Sequence, residues 1–241
     1  MIAERLKNDN WALHQIAERQ PTPGSLIKGT MPKAGYLDML AQQLLINDAL
    51  DRALAPLLSD PRFESMLADE QMLTQYIRED LAHFGVDAST IEPNPGTARY
   101  IEHIEAHKDE HLHLLGLHYV RLGACNGNTF VARVVRKAFA LDHPTEGTRY
   151  LDPFGAAQRK GWVTFKDGIN ALVLDQAQQD ELFDGTRAAY LLSINLDFAE
   201  YKSAEQLLSE HGKSLDKAEF DEHHSVHVSK EMHEELAAND G

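Results

Sequence analysis

A long apolar stretch that carries three glycines constrains this chain more than any other feature. Between Leu114 and Arg136 there is no proline, and apolar residues recur at helical spacing. Gly116, Gly123 and Gly127 nevertheless lie inside this stretch. Each glycine costs about 1 kcal/mol relative to alanine in a helix interior. Such a helix has a kink, holds a flat group against its backbone, or packs closely on another helix, and the motif alone leaves these alternatives open.

The remaining chain also has helical periodicity, and strand-like alternation is almost absent. Stretches rich in proline and glycine separate the apolar segments. We therefore predict an all-α fold, with helices at residues 1–20, 32–57, 63–84, 97–140 (one helix or a pair), 156–174 and 176–209. From Ser203 the sequence is polar and acidic. We expect residues 1–202 to form a single domain and residues 203–241 to form an appended helix or a loosely held tail.

Charge and cysteine content exclude several classes of protein. A net charge of −15 disfavours a nucleic-acid partner, although it does not exclude a local basic pocket for an acidic ligand. The single cysteine, Cys125, leaves no pair for an internal disulfide or a cysteine-based zinc site, and it suits a reducing compartment. No apolar run has the length of a signal-peptide core or of a membrane span. We therefore expect a cytoplasmic protein with no membrane partner.

The stretch LKNDNWALHQIAE, at residues 6–18, resembles the first helix of the heme oxygenase family. In that family a histidine followed four residues later by a glutamate is the proximal iron ligand, and a lysine seven residues before it reaches a heme propionate. The resemblance therefore implies that His14 is the axial ligand of heme iron, that Glu18 orients it and that Lys7 binds a propionate. A neutral imidazole is a competent axial ligand for heme iron, and a glutamate one turn further on can orient its ring.

The glycine-bearing stretch is similar to the distal helix of bacterial heme oxygenases, without a gap, over the pattern LGxxYVxxGxxxG. Gly123 and Gly127 are one turn apart and therefore point the same way, so that the helix backbone can approach a heme closely. The similarity extends over about residues 4–201 and leaves the tail outside. Shorter resemblances follow in the same order, at residues 29–40, 162–165 and 189–192.

Proton delivery in such a site requires ordered water beside the distal helix. The nearest polar groups are Asn126 and Asn128, with Arg121 as a further candidate. Mammalian members carry an aspartate on this helix, where this chain has Ala124 or Cys125. Bacterial members also lack the aspartate, so its absence does not exclude activity. Cys125 either faces the distal side, where thiolate ligation would be conceivable, or packs in the core.

Two heme propionates require basic or hydroxyl groups along one edge of the binding site. Lys7 and Tyr119 match positions of the family that serve this purpose. Lys166 is the best match for the basic residue of a later helix, and Lys160 and Arg159 are the alternatives.

The resemblance implies a heme-oxygenase-like helical bundle that cleaves heme oxidatively to biliverdin and releases ferrous iron and CO. Heme would be both substrate and cofactor, with O₂ as the oxidant. Electrons would come from a ferredoxin or an NAD(P)H-dependent reductase as redox partner. The distal sequence Ala-Cys-Asn leaves open a non-catalytic heme-binding or heme-sensing protein of the same fold.

Two histidine-rich segments raise a third alternative. His103, His107 and His111 recur every four residues, and imidazoles at such spacing could contribute to a non-heme iron oxidase of the same fold. Acidic residues surround them, which is more typical of a solvated helix face. The tail carries the sequence HHSVH at residues 223–227, which could bind a divalent metal or free heme but is more typical of a polar tail.

Overall fold

The structure, a computed structural model, describes residues 1–211, and every regular element in that range is helical. The prediction of an all-α fold is therefore confirmed. The α-helices are α1 (Ile2–Asp9), α2 (Trp11–Glu18), α3 (Pro21–Ile27), α4 (Lys33–Leu54), α5 (Thr74–His83), α6 (Pro95–Ala106), α7 (His111–Phe139), α8 (Gln158–Ala171), α9 (Gln176–Ile194) and α10 (Ala204–His211). Short 3-10 helices occupy Ala55–Ser59, Asp69–Gln71, Ala88–Thr90, Gly155–Ala157 and Asn195–Asp197.

The first predicted helix is in fact two helices, because the helix is interrupted at Asn10. The side-chain amide of Asn10 donates a hydrogen bond to the carbonyl of Leu6 at 3.0 Å, at the end of α1. The carbonyl of Asn10 then accepts the amide of His14 at 2.9 Å, in the first turn of α2. Asparagine favours such a break because its side chain competes with the backbone for hydrogen bonds. His14 therefore lies on a short helix of its own.

The prediction of a helix over residues 63–84 is only partly correct. The helix α5 begins at Thr74, and turns and a 3-10 helix precede it. Met66 and Leu73 are buried, at 3% and 0% exposure, as the apolar spacing indicated, but Met66 lies in a turn.

Pro21 follows the first predicted helix, which was expected to end at residue 20. It occupies the first turn of α3, where its missing N–H is not needed.

The helix α7 lies at the centre of the molecule and packs mainly on α9. Its residues 112–119 are all buried, so that other elements surround this half of the helix. A Cβ atom at Gly116 would lie 2.5 Å from the backbone carbonyl of Leu182, and one at Gly185 would collide with the backbone carbonyl of His113. The two glycines therefore allow the backbones of α7 and α9 to approach each other closely. For Gly116, close helix packing is the correct interpretation.

The C-terminal half of α7 is more open and shares a core with side chains of α3, α4 and α5. Among its residues 126–139 the buried side chains are Val131, Ala132 and Val135. They share a core with Tyr36 of α4, whose hydroxyl donates a hydrogen bond to the carbonyl of Gly147 at 2.8 Å. This contact fastens the loop that follows α7 to the rest of the domain.

The predicted helix over residues 176–209 ends at Ile194, and α10 follows as a separate helix. Leu207 of α10 is fully buried in a cluster with Leu13 and Ile16 of α2. The beginning of the predicted tail therefore packs on the helix that carries His14. The histidines at residues 223–227 lie outside the described residues. Within residues 1–211, no helix has the length and apolar character that a membrane span requires.

Candidate functional site

His14 lies on α2 with one ring nitrogen near a carboxylate and the other without a partner. Its Nε2 atom is 3.6 Å from Oε1 of Glu18, one turn further on. Its Nδ1 atom is buried and has no hydrogen-bond partner among the described residues. Burial lowers the pKa of His14 below its usual 6.5, and the charge of Glu18 partly opposes this effect. A neutral imidazole with one nitrogen near a carboxylate and the other without a partner among the described residues fits an iron ligand.

Two aromatic side chains hold the ring of His14. Trp11 stacks on it, with ring centroids 5.1 Å apart and an interplanar angle of 11°. Tyr190 of α9 meets it edge-on at 5.8 Å. Lys7 lies beside Trp11, with its Nζ atom 5.8 Å from the ring centroid. The spacing of Trp11, three residues before His14, could have indicated its role, whereas Tyr190 comes from a distant part of the chain.

Gly123 and Gly127 present backbone without a close neighbour. A Cβ atom at Gly127 would have no atom of another element within 4 Å. One at Gly123 would meet the indole ring of Trp162 at 3.5 Å and 3.7 Å. Helix packing therefore explains Gly116, but it does not explain these two glycines.

Trp162 of α8 brings together the predicted residues on this side of the site. The ring centroid of Trp162 is 5.0 Å from that of Tyr119. The Nζ atom of Lys166 lies 5.4 Å from the same Trp162 centroid. The hydroxyl of Tyr119 donates a hydrogen bond to the carbonyl of Ala3 at 3.3 Å. Burial raises the pKa of Tyr119 to about 12, so its hydroxyl is a neutral donor. The structure thus groups Tyr119, Gly123 and Lys166 around one indole.

Tyr190 connects this group to the His14 group. Its pKa is raised mainly by burial, and then by the nearby charges of Tyr119 and Glu18. Its ring meets that of His14 on α2, and its own helix, α9, packs along α7. The two groups of predicted residues therefore border the same region of the molecule.

The side chain of Arg121 points towards α4 instead. Its Nη1 atom forms an ion pair with Oδ1 of Asp51 at 2.5 Å and contacts Asn47 at 3.3 Å. Its other nitrogens donate hydrogen bonds to the carbonyl of Gln71 at 3.1 Å and to Nδ1 of His118 at 3.1 Å. These contacts occupy the guanidinium in the interface of α7 with α4. The structure therefore corrects the expectation that Arg121 holds distal water.

Asn126 belongs to a small polar group beside the glycines. Its Nδ2 atom donates a hydrogen bond to the carbonyl of Gly123 at 3.2 Å, and its Oδ1 atom accepts one from Nε2 of Gln158 at 3.2 Å. The Oε1 atom of Gln158 is buried without a hydrogen-bond partner among the described residues, a position that suits a bound water. Asn128 is half-buried on the same part of α7. No local pattern in the sequence pointed to Gln158.

Cys125 is a packed thiol. Its side chain is buried, with Sγ 3.5 Å from the carbonyl of Arg121. Burial raises the pKa of Cys125 to about 12, so the thiolate that a metal would bind is absent near neutral pH. Of the two alternatives for this residue, packing is the correct one.

The predicted histidine ladder is not continuous, because α6 and α7 are separate helices. His111 lies at the start of α7 and its Nδ1 atom is 3.1 Å from Nη2 of Arg62. His103 and His107 approach His113 instead of His111. The ligand set that the sequence suggested is therefore corrected in one of its three members.

Two surface clefts, of about 440 Å³ and 340 Å³, lie away from His14, Gly123 and Gly127. The larger cleft lies between α6 and α9, and the smaller one borders the end of α8. The candidate site is thus marked by its donor atoms and bare backbone rather than by either cleft.

A comparison with protein families shows the family of the chain. The family model described as heme oxygenase matches residues 1–199. The chain belongs to the heme oxygenase family. Among curated relatives, heme oxygenase 2 of Synechocystis sp. is 24% identical over 202 residues, which cover 80% of each chain. Heme oxygenase 1 of Gallus gallus is 25% identical over 201 residues, which cover 81% of this chain and 68% of the relative.

Solved structures share the fold. A heme oxygenase from Leptospira interrogans superimposes with a TM-score of 0.73 at 19% identity, over 81% of this chain and 97% of that one. Heme oxygenase-1 from the cyanobacterium Synechocystis sp., in complex with heme, gives a TM-score of 0.73 at 18% identity, over 88% and 96% of the two chains. At such identities the likeness establishes the fold, and the chemistry has to be argued from this chain's own residues.

Proposed function

We propose that this protein is a heme oxygenase, which cleaves heme to biliverdin and releases ferrous iron and CO. The observation that carries the proposal is the His14 imidazole, which has a buried ring nitrogen without a partner within residues 1–211 and a carboxylate beside the other nitrogen. Membership of the heme oxygenase family and the shared fold support the same assignment. O₂ is the oxidant, and a ferredoxin or an NAD(P)H-dependent reductase supplies the electrons.

His14 is the axial ligand in this proposal. Its lowered pKa keeps the imidazole unprotonated near neutral pH, so that a ring lone pair is available to iron. Glu18 orients the ring through the nitrogen that does not ligate. Trp11 and Tyr190 restrict rotation of the ring by packing on its face and against its edge.

Gly123 and Gly127 admit the flat substrate. Neither position has a side chain, and no backbone of another described helix lies within 4 Å of a Cβ atom built at either one, so that the backbone of α7 can approach a macrocycle closely. Trp162, which lies against Gly123, is the aromatic wall on the α8 side. The crowding that this surface imposes would determine which meso carbon is attacked.

Lys7, Tyr119 and Lys166 bind the propionates in this proposal. The two lysines provide charge-assisted donors, and the hydroxyl of Tyr119 would donate to a propionate in place of its present acceptor, the carbonyl of Ala3. Lys7 and Lys166 each lie beside an indole ring. Contact with these rings limits the freedom of both side chains before a ligand binds.

Asn126, Asn128 and Gln158 hold the water that delivers protons. Bound heme supplies the iron at which O₂ is activated, and the chain's part is to keep a proton source beside it. The free Oε1 atom of Gln158 and the side chain of Asn126 form a polar patch next to Gly123. Amides can anchor water without carrying a charge into the site, which suits a chain that lacks the aspartate of the mammalian members.

The proposal is tested by adding hemin to the purified full chain, recording the visible spectrum, and then supplying a ferredoxin system under air. We expect a sharp Soret band that bleaches while a bilin absorption grows and CO is released. His14→Ala is expected to lose both the sharp band and the turnover, and added imidazole is expected to restore the band. His143→Ala, which removes an exposed histidine, is the matched control and is expected to behave like the parent.

Other outcomes separate the alternatives. A heme complex that depends on His14 but survives turnover conditions would replace the enzyme by a heme-binding or heme-sensing protein. Heme binding that His14→Ala leaves unchanged would refute the assigned ligand. Failure to bind heme at all would overturn the proposal.

A further inference from the structure

Three histidine side chains lie close together at the junction between α6 and α7. The candidate ligand atoms of His103, His107 and His113 all lie within 4.8 Å of one another. The Nε2 atoms of His103 and His113 are 2.8 Å apart. The ring of His107 stacks on both of the others, with centroid distances of 4.2 Å.

We propose that His103, His107 and His113 form a binding site for a divalent transition-metal ion such as zinc. Three nitrogen donors without a carboxylate suit zinc, cobalt, nickel or copper, whereas magnesium and calcium require oxygen ligands. Three protein ligands leave one position of a tetrahedral ion for water or a small anion.

The tautomer of His107 suits ligation of a metal ion through its Nε2 atom. Its Nδ1 atom is 2.8 Å from the backbone carbonyl of His103 and donates its proton there. This hydrogen bond fixes the tautomer in which Nε2 carries the free lone pair. Metal-bound histidines commonly use their second nitrogen in this way.

His113 is held by its backbone on both sides. Its amide donates a hydrogen bond to Oε1 of Glu181 at 3.2 Å, and its carbonyl lies against the backbone of Gly185. The residue as a whole is only 4% exposed. Since a site built on packed helices keeps its geometry better than one on a loop, His113 is a firm anchor for the ion.

The distances require only small adjustments. Zinc–nitrogen bonds of about 2.0–2.1 Å place two ligand nitrogens of a tetrahedral site roughly 3.3 Å apart. The observed separations, from 2.8 Å between two Nε2 atoms to at most 4.8 Å overall, bracket this value.

This site is separate from the proposed heme site. His113 and Gly123 are ten residues apart on α7, which corresponds to about 15 Å along a helix axis. His103 also borders the larger surface cleft, through which an ion can reach the cluster from solvent. Metal binding can therefore be measured on heme-free protein, and its result is independent of the proposed enzyme activity.

The test uses the untagged, heme-free full chain in which His223, His224, His227 and His233 are replaced by glutamine, so that residues 212–241 offer no competing imidazoles. Zinc affinity is measured by calorimetry, and cobalt is used to obtain a visible ligand-field spectrum. We expect one equivalent of metal. His103→Gln and His107→Gln are each expected to weaken binding by at least about tenfold.

His111→Gln is the matched control, because His111 is a neighbouring histidine that contacts Arg62 and lies outside the cluster. It is expected to leave metal affinity unchanged, and circular dichroism checks that every variant keeps its helices. X-ray absorption of the zinc-loaded parent is expected to show at least three imidazole ligands. Absence of binding at micromolar zinc, equal binding by the His103→Gln/His107→Gln double variant, or fewer than three imidazoles would each overturn the proposal.

Discussion

The two halves of α7 carry glycines for opposite reasons. In the N-terminal half, residues 112–119 are all buried, and a Cβ atom at Gly116 would collide with the backbone of α9. Further along α7, a Cβ atom at Gly127 would meet no other described element within 4 Å, and one at Gly123 would touch only the side chain of Trp162. The first glycine is required by packing, and the other two leave backbone available to a ligand. The two roles are distinguished by the atoms that a Cβ atom built at each glycine would contact.

The largest expected effect comes from Gly116→Ala. The new Cβ atom would lie 2.5 Å from the carbonyl oxygen of Leu182 and 2.6 Å from the amide of Thr186, which are backbone atoms that cannot rotate away. We expect unfolded protein or a decrease of more than about 4 kcal/mol in the free energy of unfolding, measured by urea denaturation. Gly161→Ala, at an exposed position of α8, is the control. A Gly116→Ala variant as stable as the parent would contradict the packing role.

A smaller loss is expected from Arg121→Met, which lies between the two halves of α7. The substitution leaves Asp51 buried without its positive partner, so we expect a decrease of about 3 kcal/mol in the free energy of unfolding. Heme affinity of the folded protein is expected to stay unchanged, because the guanidinium faces α4. Arg133→Met, at an exposed position of α7, is the control. Unchanged stability together with lost turnover would return Arg121 to the candidate site.

The third prediction concerns the pH dependence of the free energy of unfolding, which we expect to report on the attachment of the C-terminal half of α7. The C-terminal half is tied to the following loop by a hydrogen bond from Arg136 to the hydroxyl of Thr148 at 3.0 Å. Buried Asp80 holds that loop by accepting the amides of Arg149 at 2.7 Å and Tyr150 at 2.8 Å. Burial raises the pKa of Asp80 to about 6, above its usual value of 3.8. The contact between Gly116 and α9 contains no titratable group.

Because the folded state binds this proton more tightly than the unfolded state, the free energy of unfolding decreases as pH rises from about 4 to about 6. Above that range this group adds no further change, and the full step is about 2–3 kcal/mol. Urea denaturation across this pH range measures the step. Asp80→Asn is expected to remove it, and Asp87→Asn, at an exposed position, is expected to keep it. A step that persists in Asp80→Asn belongs to another group.

Much of the fold could be predicted from the sequence, since helical periodicity is a local property. The break at Asn10 could not, because it depends on a side-chain hydrogen bond that competes with the helix. Residues 63–73 also misled the prediction. Turns can bury apolar side chains such as Met66 at the same spacing that a helix would use.

The sequence could suggest residues of the candidate site only where they lie close together in the chain. Lys7, His14 and Glu18 follow one another on adjacent helical segments, so their spacing was informative. Tyr190 and Gln158 come from other helices, and only tertiary structure brings them to the site. The same limit explains the histidine cluster, in which a residue from α7 joins two from α6 and its C-terminal boundary.

The smallest expected change in stability is the most informative about function. At Gly127 a Cβ atom would meet nothing, so Gly127→Ala removes the conformational cost of glycine in a helix. We expect the free energy of unfolding to rise by about 1 kcal/mol. If heme lies on this backbone, as proposed, the added methyl group also stands between the helix and the macrocycle. Heme affinity, turnover or the ratio of biliverdin isomers should then change although the protein is more stable.

Gly161→Ala provides the matched comparison, because it also adds a methyl group to an exposed helical position with no neighbour within 4 Å. It is expected to raise stability by a similar amount, as thermal denaturation would show, without changing heme chemistry. If both variants are more stable and neither alters heme binding or products, Gly127 does not face the substrate. The opposite signs expected for Gly116→Ala and Gly127→Ala, on one continuous helix, therefore test directly whether packing and ligand access account for the glycines of α7.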